Sequence, residues 1–222
     1  LPHIVQMATE EDFIGVIEDD LLEHGVELHT DEKVVEFVKD GRHCNAVRLE
    51  SGRTIDADFV VLSLGVAPNV QLAEDAGIET TRFGIVTDEH LRTSVSNIYA
   101  AGDCAEKKSF VTGRPTRGEF GTNAVFMSKV VAGNILGGDV RFPGVINASA
   151  TTTFDYALGS AGLTTRAAEA EGIPHIVGTS EVLDGYPMMD HASPIRTKLL
   201  FDEMSGRLLG GQLVGLEGAV HR

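Results

Sequence analysis

Basic residues are scarce in this sequence of 222 residues: 18 Lys and Arg stand against 33 Asp and Glu, a formal charge of −15. That excess repels phosphate backbones and anionic membrane surfaces at long range, so neither nucleic acid nor a membrane is an expected partner. Cysteine is nearly absent. Cys44 and Cys104 stand far apart, with no Cys-x-x-Cys pair and no clustered histidines, which argues against a disulfide scaffold or a metal site. No apolar run approaches the ~20 residues of a membrane span. Leu1-Pro-His-Ile-Val5 also lacks the basic start and apolar centre of a signal peptide, so a cytoplasmic protein is expected. Tryptophan is missing, yet 42% hydrophobic content supports real cores, in one large or two modest domains. Most telling is the absence of a Gly-x-Gly-x-x-Gly turn, the phosphate cradle of dinucleotide-binding folds. Gly159-Ser-Ala-Gly162 and Gly210-Gly211 do not supply its spacing, so a complete nucleotide fold is not expected from this chain alone.

What is present reads in order as α/β. Thr9-Glu-Glu-Asp12 looks like a capped helix start with Thr9 as N-cap, and Phe13, Val16, Ile17 and Leu21 line one face. Val26–Thr30 reads as a short strand. Lys33–Lys39 and Ala46–Glu50, with turns at Asp40-Gly41 and Ser51-Gly52, predict an antiparallel meander. Asp58–Gly65 is almost continuously apolar, as a strand buried on both faces would be. Pro68-Asn69 then makes a sharp exit, and Gly65 would let a ligand approach the backbone. Ile98-Tyr-Ala-Ala-Gly-Asp-Cys104 reads as a second buried strand that delivers Asp103 to a ligand-binding sheet edge, with Cys104 as a small buried residue at its end. A carboxylate there can only accept hydrogen bonds.

Ala124, Met127, Val131 and Ile135 recur at helical spacing between Phe120 and Gly137-Gly138, with Thr122 as N-cap. Arg141-Phe-Pro-Gly144 reads as a linker. Thr151–Ala157 and His175–Leu183 have strand character, Thr164–Gly172 is a capped helix, and Lys198–Asp202 with Arg207–Gly215 forms a hairpin around Glu203-Met-Ser-Gly206.

Three of these stretches carry a family resemblance. The pattern that begins at Thr93 and runs through Tyr99-Ala-Ala-Gly-Asp103 resembles the second flavin-binding motif of the two-dinucleotide flavoprotein reductases, and Leu72–Ile78 and Gly84–Thr93 precede it in the family's order. Ser63-Leu-Gly-Val-Ala-Pro-Asn69 resembles their Gly-x-x-Pro-Asn segment, and Ala161-Gly-Leu163 with Gly206-Arg-Leu-Leu-Gly-Gly-Gln212 resembles the interface domain of the pyridine nucleotide-disulfide reductases. Within that family the likeness is to the branch of coenzyme A disulfide reductases, NADH oxidases and NADH peroxidases. The resemblance implies a partial two-dinucleotide-binding-domain flavoprotein plus an α+β interface (dimerisation) domain, truncated. Residues 1–68 would be the end of an NAD(P)H-binding domain, 69–143 the end of an FAD-binding domain, and 144–222 an incomplete interface domain that forms a homodimer.

The same resemblance implies FAD and NAD(P)H as cofactors and a small-molecule electron acceptor: a disulfide, sulfur, oxygen or peroxide. Gly102 and Asp103 would anchor the ribityl chain, Phe120 and Gly121 would offer backbone donors to the flavin, and Gly65 would line the nicotinamide path. Glu119-Phe120-Gly121 replaces the family's usual Pro-Leu-Ala, and Ser128-Lys129 its Gly-Arg, so side-chain roles there do not carry over. The redox cysteine of this branch precedes the stretch seen here, which makes the chain an expected carboxyl-terminal fragment, inactive by itself. Tyr156 and Tyr186 could reach a substrate or simply pack. Two other readings stand beside this one: a non-enzymatic assembly subunit that buries its hairpin face against a partner, and a ferredoxin-reductase-like flavoprotein.

Overall fold

The computed structural model describes residues 2–5, 9–189 and 192–220. Two compact units emerge: Leu1–Leu64 together with Ser149–Arg222, and Gly65–Ala148 in between. Compactness therefore joins most of the first expected segment to the interface segment.

The first unit begins with helix α1 (Glu11–Glu23), which buries Phe13, Ile14 and Ile17. Each aliphatic or aromatic side chain so buried contributes roughly 1.5–3 kcal/mol. The N-cap is Glu10 rather than the expected Thr9. Its carboxylate is taken up elsewhere, accepting from the Thr165 amide at 2.6 Å and pairing with Lys198 Nζ at 3.0 Å. Strands β1 (Val34–Asp40), β2 (His43–Leu49) and β3 (Thr54–Asp56) form the antiparallel meander that the turn signals predict.

Two expected strands are absent. Val26–Thr30 forms no ladder, and neither does Asp58–Gly65. A strand exists only against a neighbour, and no described strand pairs with either stretch. Phe59 is consequently 83% exposed and Leu64 91% exposed, the reverse of the burial their apolar pattern implies.

The second unit opens with α2 (Gln71–Asp75), β4 (Thr80–Thr81) and β5 (Gly84–Ile85). The stretch Ile98–Cys104 is not a full strand: it makes one antiparallel bridge, Tyr99 to Arg92, and ends in a 3₁₀ turn at Gly102–Cys104. Strands β6 (Lys107–Lys108) and β7 (Pro115–Thr116) follow, then helix α3 (Gly121–Ile135). Met127 and Val130 of α3 pack with Leu91, Ala100 and Ala105 as this unit's core. The buried face runs Met127, Val130, Asn134, while Ile135, expected inside, is exposed. Asn134 takes the inner place because its amide donates to the carbonyls of His90 (2.9 Å) and Val140 (2.8 Å), while its Oδ1 accepts from the Val140 amide (2.8 Å). Phe120, not Thr122, is the N-cap.

Back in the first unit, β8 (Ser149–Thr152), β9 (Tyr156–Gly162), β10 (His175–Leu183), β11 (Pro194–Asp202) and β12 (Leu208–Leu216) build an antiparallel sheet in the order β10-β11-β12-β9-β8. The run expected as one strand, Thr151–Ala157, is thus two strands and their turn. Helix α4 (Thr165–Ala170) has the predicted N-cap, with Thr164 Oγ1 accepting from the Ala167 amide at 3.2 Å. A short α5 (Glu217–Val220) follows β12. Leu158 of β9 and Val214 of β12 meet Phe13 and Ile17 of α1, with Tyr156 packed at the margin.

Asp20 joins α1 to this sheet. Its carboxylate is 2% exposed and accepts from Thr153 Oγ1, the Phe154 amide (3.1 Å) and the Asp155 amide (3.2 Å) in the β8–β9 turn. Burial opposes its ionisation, but the hydrogen bonds from Thr153 and the turn amides prevail and hold the carboxyl below the usual carboxylate range. A folded value below the unfolded one means stability that is present above about pH 4 and lost as pH falls through the folded value. Asp20→Asn should therefore destabilise by roughly 1–3 kcal/mol at neutral pH. Urea denaturation from pH 7 down to pH 2 should show the gap to wild type closing below about pH 4; a gap constant across that range would contradict this.

Candidate functional site

The candidate site is the corner of the second unit where the 3₁₀ turn meets α3. Gly102 has φ +78°, a region that favours glycine, and a Cβ built on it would lie 3.6 Å from Ala124 Cβ in the first turn of α3. The next side chain, Asp103, is exposed, and its carboxylate accepts no hydrogen bond from the described residues. Cys104 is half-buried, with Sγ 3.5 Å from the Ala101 carbonyl it faces. The turn is held from behind by β5: Ile85 bridges Ala105 in parallel, and the Glu106 amide donates to Ile85 O at 2.8 Å. Behind it, Asp88 Oδ1 accepts from the amides of His90 (2.8 Å) and Arg92 (2.9 Å), shaping a loop in which buried Leu91 takes φ +63°.

At the start of α3, the Phe120 amide already donates to Gly118 O at 2.8 Å, which leaves Gly121 as the first amide of the helix proper. The amino end of a helix carries partial positive charge and unpaired N–H groups, so it suits an electron-rich or anionic ligand edge. Gly65, with φ +88°, is exposed in the same unit. Its neighbour Val66 is tied to the segment before α3 through its carbonyl, which accepts from Arg117 Nη1 at 2.8 Å. Gly65, Gly102, Asp103, Phe120 and Gly121 thus all belong to one compact unit. Tyr156 lies in the other unit, half-buried against α1, and Tyr186 is 74% exposed. Sequence reasoning quoted Gly84 and Asp88 only as part of a run and gave them no role, and it missed Asn134, because their roles are contacts to backbone that spacing does not reveal.

An open carboxylate acceptor beside a helix amino end, on a glycine turn that brings the two together, fits a flavin dinucleotide: hydroxyls for Asp103, an electron-poor ring edge that gains charge for α3. The elements around this corner are those of an α/β protein. The family model for pyridine nucleotide-disulphide oxidoreductases matches residues 1–128, and the model for that family's dimerisation domain matches residues 148–221. The chain therefore belongs to the pyridine nucleotide-disulphide oxidoreductase family. It is 32% identical over 221 residues to an NADH oxidase of Methanocaldococcus jannaschii, covering 100% of this chain and 49% of that protein. It is 31% identical to a CoA-dependent NAD(P)H sulfur oxidoreductase of Pyrococcus furiosus, covering 96% and 48%. Among solved structures, a NAD-dependent persulfide reductase from A. fulgidus superposes with a TM-score of 0.93 at 31% identity, covering 100% of this chain and 41% of that one. The chain spans about half the length of the curated relatives it matches. Among the described residues, no helix is long and apolar enough to cross a membrane.

Gly84 offers a direct check on how the corner is held. With φ +132°, a Cβ there would lie 2.6 Å from the Cys104 carbonyl oxygen. Gly84→Ala should push the 3₁₀ turn away and cost more than about 2 kcal/mol. Chemical denaturation reads this out, and an unchanged midpoint would show that β5 does not brace the turn.

Proposed function

We propose that this chain forms the part of an FAD-dependent oxidoreductase that holds the ribityl chain and pyrimidine edge of the flavin, in an enzyme that takes electrons from NAD(P)H. Bound FAD would supply hydride acceptance from the reduced nicotinamide and onward electron transfer. The observation that carries the reading is Asp103: exposed, without a hydrogen-bond partner among the described residues, and next to Gly102, which lies against the first turn of α3, in a chain of this family. Asp103 would accept a ribityl hydroxyl, Gly121 and the amides after it would hold the pyrimidine edge, and Gly65 would leave its backbone open to the nicotinamide. In this assignment residues 1–68, 69–143 and 144–222 keep their nicotinamide, flavin and interface roles.

The terminal acceptor is a disulfide, sulfur, oxygen or peroxide, a range within which the relatives' names support oxidase, sulfur and persulfide chemistry. Neither cysteine here is assigned the redox role, since Cys44 sits on β2 and Cys104 faces a backbone carbonyl. The dimerisation-domain match over 148–221 supports a homodimer through that region and disfavours the ferredoxin-reductase-like reading. A titration of the purified chain with FAD, followed by flavin fluorescence, tests the site. Wild type should bind FAD weakly, Asp103→Ala should weaken it by about tenfold or more, and Asp103→Asn by less. Equal affinities for wild type and Asp103→Ala would contradict the assignment.

A further inference from the structure

We propose that Lys107 is a positioning residue that locks the Asp103 turn to the amino end of α3, an inference that rests on the flavin reading above. Lys107 is 2% exposed and among the largest fully buried side chains of the chain. Its Nζ donates to the carbonyl of Ala105 at 3.0 Å, two residues beyond Asp103. Its stem reaches the other side of the corner: Lys107 Cδ lies 3.0 Å from where a Cβ on Gly118 would stand, three residues before α3 begins.

Two asparagines close the same bracket. Asn123 Nδ2 donates to Gly118 O (3.0 Å) and to Asn147 Oδ1 (3.3 Å), and Asn147 Nδ2 donates to Arg117 O (2.6 Å). Glu119 Oε2 also accepts from the Gly118 amide at 3.1 Å, so Lys107, Asn123, Asn147 and Glu119 all bear on segment 117–118, and of these four it is Lys107 that also touches the exit of the Asp103 turn.

Stability does not account for the ammonium. Among the described residues no carboxylate pairs with it, and a buried charge without a counter-charge opposes folding. A methionine would fill the stem's space without that penalty. What the ammonium adds is one charge-assisted bond that fixes the Ala105 carbonyl, and with it the direction in which the turn presents Asp103. Lys107 touches no part of the proposed cofactor site itself. It acts through Ala105 and Gly118.

The test separates position from stability. Lys107→Met should unfold at the same or a higher denaturant concentration than wild type, while its FAD affinity falls about fivefold. Lys107→Gln, which keeps a donor, should recover part of that affinity. Amide hydrogen exchange in the absence of FAD should rise together at residues 102–105 and 121–123 in Lys107→Met. Wild-type affinity in Lys107→Met, or exchange that rises at only one of the two stretches, would overturn the proposal. A wild-type chain that does not bind FAD, with the exchange pattern as expected, would overturn the flavin reading and leave the bracket standing.

Discussion

The first unit depends on a carboxylate that burial alone would neutralise. Asp20 comes from the last turns of α1, and the groups that keep it ionised lie some 133 residues later in the chain, in the turn between β8 and β9. That interaction, with the contact of Phe13 and Ile17 against Leu158 and Val214, closes the first unit from two distant segments. Everything from Gly65 to Ala148 must then leave and return as a body of its own. His24 adds to the clasp by stacking on Phe154 at 4.1 Å, within reach of both Asp20 and Asp155. Asp20, His24 and Asp155 also satisfy the spacing of a metal-ligand trio, but Asp20's oxygens are already committed to the turn. Here the three side chains tie α1 to the β8–β9 turn.

In the second unit the same logic works at shorter range. The turn at Gly102–Cys104 is bounded by backbone, with β5 behind it, α3 beside it and the loop around Asp88, and Lys107 adds a bond to the Ala105 carbonyl at its exit. Side chains that would decorate a motif are few here. A corner of this kind depends on where N–H groups and one carboxylate point, so it does not rest on the side chains of Glu119-Phe120-Gly121. The helix amino end persists through changes of side chain because it is a property of the backbone.

Much of this was legible in the sequence. The β11–β12 hairpin, the meander and the α4 cap were read correctly because their causes are local: Gly206 with Asp202 accepting from Ser205 at 2.7 Å, glycine turns at Gly41 and Gly52, and Thr164 three residues before the amide it caps. The family was legible in the spacing that leads to Tyr99-Ala-Ala-Gly-Asp103, and the family match over residues 1–128 bears that out. Asp58–Gly65 was not, since strand pattern states what a segment requires while a ladder also needs a neighbour. Asn134 and Lys107 were illegible for a different reason. A polar residue in an apolar stripe, or a Glu-Lys-Lys run after a turn, reads as solvent-facing until the carbonyls that receive its hydrogen bonds are located.

The central claim is that FAD meets this chain at the turn and helix end of the second unit. Titration of the 15N-labelled chain with FAD, followed by amide chemical shifts, measures this residue by residue. The account predicts concentration-dependent shifts at Gly102, Asp103 and Gly121, with the five-stranded sheet undisturbed. Shifts confined to residues 149–220, or none at the turn and the start of α3, would contradict it.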